Sequence, residues 1–120
     1  MKHLILAGAL GLLSLPALVR ATEAASFDGA WSVLIVTEQG QCDRAYRYPV
    51  NIAGGKVTYG GDAGFNISGS VAANGAATVS VSQGNQAAVG TGRLSGKTGR
   101  GTWKAPTGGC SGKWSAERRG

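Results

Sequence analysis

The 120-residue chain is poor in the side chains that carry most protein chemistry: it has one histidine, one methionine and two cysteines. The histidine is His3 and the methionine is Met1, so both stand at the extreme N-terminus. Past residue 3 there is no imidazole for a Ser-His-Asp or Cys-His system, nor for the usual metal sites. Haem iron needs an axial ligand, and here that role would fall to Tyr46, Tyr48 or Tyr59. Carboxylates are scarce as well: Glu23, Asp28, Glu38, Asp43, Asp62 and Glu117. They fall mostly beside turn residues, not as the facing pair that glycoside hydrolysis requires. These absences point away from an enzyme, and no metal or cofactor is expected.

Long apolar runs are missing too, except at the start. Residues 1–26 read MKHLILAGALGLLSLPALVRATEAAS, with Lys2 ahead of an apolar stretch from Leu4 to Leu13. Val19-Arg20-Ala21 then offers small residues at the two positions that a signal peptidase reads. The stretch is too short to span a bilayer comfortably. It predicts a cleaved signal peptide over 1–21, with Ala25 as a second cleavage site, and export to the periplasm or outside the cell. No stable membrane span is expected. A short arm over 22–28 would precede one domain over 29–120.

A domain of this size has little core to spare. Export makes a disulfide between Cys42 and Cys110 chemically available. The competing reading, a metal or redox thiol pair, lacks both a CxxC spacing and a nearby histidine.

The segment GTGRLSGKTGRGTWK, residues 90–104, resembles a phosphate-binding loop at first sight. A P-loop needs four residues between its first glycine and Gly-Lys-Ser/Thr. Three residues separate Gly92 from Gly96 and five separate Gly90 from it, so neither fits. The glycines instead alternate with Thr91, Arg93 and Ser95, which is a strand phase, and Lys97-Thr98 reads as a turn into another strand.

Alternation with period two recurs throughout, broken at short intervals by Gly-Gly, Asn-Gly and Gly-Asn. About eight short strands joined by tight turns predict an all-β antiparallel meander closed into a barrel, with a curled sandwich as the alternative. The second strand is expected over 42–52, so the disulfide would tie its start to the start of the last strand. Pro49 lies inside it and cannot donate to a ladder. That predicts either a bulge there or an open edge.

Gly-x-Trp occurs three times, at Gly29-Trp31, Gly101-Trp103 and Gly112-Trp114. Residues two apart share a strand face, so each glycine leaves room for a neighbouring ring. The three tryptophans are expected to be buried and structural; the alternative is a carbohydrate-stacking platform.

Charge is uneven. Residues 22–62 carry three basic and five acidic side chains, whereas residues 63–120 carry seven basic ones against Glu117. Arg93, Arg100 and Lys104, with Tyr59, are candidate ligand-binding residues. An anionic surface or glycan, or an unidentified protein, is the expected partner, and nucleic acid is not. The alternative is that scattered charges merely keep a glycine-rich surface soluble.

The opening FDGAWSV and the ending WSAERRG resemble the calycin superfamily, which holds lipocalins, avidins and small bacterial protease inhibitors. The resemblance implies that Gly29 and Trp31 open the first strand and that an arginine, Arg118 by phase, packs over Trp31. Over its mature length the chain is similar to small exported proteobacterial proteins of unknown function. The sequence thus predicts a monomeric, non-enzymatic binding or inhibitor module on a calycin-like barrel. A filled interior with a protruding loop would mark an inhibitor. An open, partly polar cavity reached from one end would mark a binder of small ligands or glycans. A filled interior with no distinctive loop would mark a structural or surface protein.

Overall fold

The computed structural model describes residues 27–61 and 64–120, so the expected signal segment and residues 22–26 of the arm lie outside the described residues. Eight strands follow one another: β1 (Gly29–Gln39), β2 (Ala45–Ala53), β3 (Lys56–Tyr59), β4 (Asn66–Val71), β5 (Ala76–Gln83), β6 (Gln86–Ser95), β7 (Thr98–Ala105) and β8 (Cys110–Arg118). Each runs antiparallel to the next, and β8 returns to pair with β1, which closes the barrel. The architecture is compatible with a calycin-like fold. Every strand has a neighbour on both sides, although the short β3 leaves the first half of β2 and the start of β4 unpaired on its side.

The strand period decides what lies inside. Trp31, Val33 and Ile35 of β1 point inward, as do Tyr46 and Tyr48 of β2 and Val79 of β5. Ser68 and Ser70 of β4 and Thr78 and Ser80 of β5 stand outside and exposed. The packed core gathers at one end, where β1 begins and β8 finishes. There Trp31 (2% exposed), Ile52, Val57 and Leu94 form a buried cluster, with Phe27 against it. Trp31 donates its indole N–H to the Phe27 carbonyl at 2.9 Å. The Asp28 carboxylate accepts the Gly54 N–H at the neighbouring turn. This end is shut.

Arg118 stands directly opposite Trp31 in the β1–β8 ladder. Its guanidinium donates to the Asp28 carbonyl. Its Nε lies 3.2 Å from where a Cβ on Gly29 would sit, and Gly29 has φ +137°. Both the backbone angle and the guanidinium therefore require glycine at that position.

The other two Gly-x-Trp segments are partners. In the β7–β8 register Gly101 faces Trp114 and Trp103 faces Gly112. Gly101 makes the space for the Trp114 indole, and Gly112 lets the β1 backbone at Val36 approach. A Cβ on Gly101 would lie 2.7 Å from the Trp114 Nε1, and one on Gly92 of β6 would lie 2.6 Å from its Cζ2. A Cβ on Gly112 would run into the Val36 carbonyl oxygen, which accepts the Trp103 indole N–H at 3.1 Å.

Three expectations need correction. Pro49 marks neither a bulge nor an open edge, since the β1–β2 register runs unbroken through Ser32 and Pro49. Its carbonyl accepts the Gly60 N–H just past the end of β3. A residue's N–H and C=O point to the same side of a strand, so the missing donor faces β3 where that strand ends. The bulge is in β1 instead, between Thr37 and Gln39. Cys42 lies before β2, not at its start, and is bonded to Cys110, the first residue of β8. The disulfide closes a separation of 68 residues, which in the loop-entropy account stabilises by about 4 kcal/mol. The turn before β7 is Gly96-Lys97, with Thr98 already in the strand.

Two outcomes are expected from this packing. Gly112→Ala or Gly101→Ala should cost at least about 2 kcal/mol in urea unfolding, because backbone oxygen and indole block the added methyl. Arg118→Lys should cost about 1 kcal/mol, since lysine keeps the charge and loses the planar fork. Arg119→Lys should stay within about 0.5 kcal/mol, because Arg119 is exposed.

Candidate functional site

The end opposite the core carries the disulfide, the loops over 40–44, 84–85 and 106–109, and residues 60–61 and 64–65. Below it the barrel is not filled. A cavity of about 120 Å³ runs from the core toward this mouth. Its floor is made by Trp31, Leu94 and Ala116, all buried. Its upper wall includes Ile35, Tyr46, Val81 and Ala88, which are only partly buried, so the cavity opens there.

The cavity is apolar, and the reason is traceable residue by residue. Among the described residues no charged side chain lines it. The indole N–H groups of Trp31, Trp103 and Trp114 are all spent on backbone carbonyls, those of Phe27, Val36 and Thr91. The indoles therefore offer carbon surface and no donor. Trp114 is the least buried of the three. Its nitrogen edge rests in the trough left by Gly90, Gly92 and Gly101. Apolar cavities of roughly 150 Å³ take up a benzene-sized molecule and stay dry without one.

Only the mouth supplies polar atoms. Tyr46, Tyr48, Tyr59 and Phe65 form an edge-to-face cluster with ring centroids 5.0–6.2 Å apart. The cluster sits where β3 and β4 separate, for only Lys56–Ser70 and Val57–Gly69 pair along that seam. The rings thus close a gap that backbone hydrogen bonds do not. Burial pushes the Tyr48 phenol well above its ordinary value, with smaller contributions from its hydrogen bond to Tyr46 and from the Tyr46 and Tyr59 charges. At neutral pH Tyr48 is a protonated hydroxyl at the rim.

The ligand-binding residues expected from sequence divide between two places. Arg93 of β6 and Arg100 and Lys104 of β7 stand exposed on the outer wall, with Arg93 directly opposite Arg100. Tyr59 does not join them; it belongs to the aromatic cluster at the mouth. Tyr46, Tyr48 and Phe65 were not among the candidates. Their shared phase was readable on two separate segments, but nothing local in sequence says that those segments meet. Cys42 and Cys110 tie the rim together, and Gly40 passes beneath, where a Cβ would lie 2.7 Å from the Cys110 sulfur.

No protein-family model, curated protein or solved structure matches the chain. Function is therefore read from this geometry.

The Tyr48 environment has a pH signature. A free tyrosine ionises near pH 10, and the folded-state value of Tyr48 is raised. The stability linked to it is whole below about pH 10 and is lost as pH climbs from there toward the folded value. Ultraviolet phenolate titration should reveal one tyrosine that ionises only with alkaline unfolding, and Tyr48→Phe should abolish that step.

Proposed function

We propose that the chain is an exported, non-enzymatic, calycin-like barrel that binds small neutral apolar molecules in its interior. One observation carries this reading: the cavity is apolar, ends on a packed floor and opens at one mouth. Closed barrels of eight strands are wide enough either to be filled by side chains or to hold one small ligand. This one keeps a narrow hollow of about 120 Å³ bordered by its own core residues. The cavity is less polar than a glycan or charged metabolite would need, because burying an unpaired charge there carries a large desolvation penalty. A single aromatic ring or a short alkyl chain suits its volume. The hydroxyls of Tyr46 and Tyr48 at the rim would take one polar substituent.

An inhibitor would be expected to present a protruding loop over a filled interior. Among the described residues the turns at 54–55, 84–85 and 96–97 are two residues long, and the loop over 40–44 is held down by the disulfide and by the Thr37–Arg44 and Thr37–Asp43 hydrogen bonds. That favours the ligand reading.

Toluene and benzene are suitable probes. Burial of such a ring corresponds to a dissociation constant of roughly 0.1–1 mM, with NMR shifts at Val79, Val81 and Trp114 and a change in tryptophan emission. Ala88→Trp should plug the mouth and abolish uptake while the far-ultraviolet spectrum and disulfide stay intact. Shifts confined to exposed outer residues, or uptake unchanged in Ala88→Trp, would remove the interior as the binding site.

A further inference from the structure

The outer wall carries a second feature, unrelated to the cavity. In sequence the basic residues of the C-terminal half are separated by two or three neutral positions from Arg93 to Lys104. In the barrel they converge. Arg93, Arg100 and Lys104 project from the outer face of β6 and β7, Lys113 from the adjacent β8, and Lys97 from the turn between β6 and β7. Neither β6 nor β7 contains a carboxylate.

Arg93 and Arg100 face each other across the ladder. Like charges directly opposite on one sheet face are destabilising. Carboxylates could relieve them, yet Arg93 has Ala76 on its other side and Arg100 has Ser115. The bordering acids are engaged elsewhere, Glu38 with Lys113 at 3.6 Å and Glu117 with Arg119 at 3.7 Å. Arg93 leans away to donate to the Asn74 carbonyl at 2.9 Å. Among the described residues nothing pairs with Arg100, Lys97 or Lys104. The fold therefore carries a repulsive pair in which Arg93 holds the turn at Asn74 and Arg100 has no partner among the described residues.

Hydroxyls lie between the cations. Ser70, Thr78, Thr91 and Thr102 stand in direct register across β4 to β7, and the row ends on Lys113. Successive rows on a face are about 7 Å apart, so a cationic row, a hydroxyl row and the row of Lys104 repeat along the strands. We infer that the outer face of β6–β8 is a docking surface for a linear polysaccharide bearing carboxylate or sulfate groups, with Arg100 at its centre.

Other anionic partners fit less well. Every tryptophan and tyrosine described lies inside the barrel or at its mouth, which leaves no stacking platform on this face for nucleobases. The turn tips Gly54-Gly55, Asn74-Gly75, Gly84-Asn85 and Gly96-Lys97 have no apolar side chain to insert into a bilayer. The exposed apolar side chains here are two separate valines, Val89 opposite Lys104 and Val36 opposite Lys113, and neither is an aromatic anchor of the kind that dominates protein–protein interfaces. A hydroxylated, charged polymer matches both the cations and the hydroxyl row.

The test uses heparin as a sulfated probe and polygalacturonate as a carboxylated one, against neutral dextran, phosphatidylglycerol vesicles and duplex DNA. At least one of the two acidic polysaccharides should bind, with affinity falling linearly in logarithm with salt. Dextran should not. Arg100→Thr should weaken that binding about tenfold and leave the melting temperature unchanged or raised. Lys56→Thr, on the diametrically opposite strand β3, should change binding less than twofold although it removes the same charge. Equal loss in Lys56→Thr would reduce the effect to net charge and overturn the proposal. So would a lowered melting temperature in Arg100→Thr, which would make Arg100 structural. Tighter binding to vesicles or DNA than to either polysaccharide at the same salt would reassign the face to that partner. Toluene uptake is read separately, so failure here leaves the interior site standing, and the reverse.

Discussion

The barrel depends on a steric exchange between two strands. β7 and β8 each give up a side chain opposite the other's indole: Gly101 clears the Trp114 ring, and Gly112, opposite Trp103, lets the Val36 carbonyl that Trp103 hydrogen-bonds come close to β8. An eight-stranded wall has a narrow interior, and two tryptophans from neighbouring strands would collide in it if both backbones carried side chains. The exchange lets the rings lean in opposite directions around the wall. Trp114 reaches β6 and hydrogen-bonds Thr91; Trp103 passes over β8 and hydrogen-bonds Val36 on β1. The second of these contacts crosses the closing seam. Packing of the interior and closure of the ring are therefore one event, not two.

The hollow follows from the same arrangement. The indoles lie against the wall, and the inward residues of β5 and β6 toward the mouth are small or branched: Val79, Val81, Ala88 and Gly90. At the opposite end Trp31, Phe27 and Leu94 converge and fill the section. The inside is thus sorted by size along its axis, and the outside is sorted by charge around its circumference. A strand can do both at once because its two faces are independent. Arg93 and Gly92 are adjacent in sequence, yet one meets solvent and the other meets Trp114.

Much of this was legible in the sequence. Period-two alternation, glycine-marked turns and paired cysteines were enough for eight strands, their order and the disulfide, because those signals are local or unique. The three Gly-x-Trp segments signalled space beside a ring, although which glycine served which ring needed the register. Pro49 misled. A missing donor harms a sheet only where a partner waits for it, and here β3 has ended at Tyr59. The basic face was obscured for a related reason. Arg93 and Arg100 are seven positions apart in the chain and touch only through a hairpin whose register fixes them opposite one another. The aromatic rim was harder still, since Tyr48 and Phe65 meet across a strand that ends between them.

The closing seam also fixes how the barrel can be held. Gly29 and Arg118 lie at the same end, and the carbonyl of Gly120 comes within 3.4 Å of where a Gly29 Cβ would stand. The mouth is a full strand length away. Anything joined to the protein beyond Gly120, whether a fused partner or a solid support, would grip it by its base and leave the opening facing outward. The basic wall would then stand upright along the side, free to lie against a fibre that runs past it.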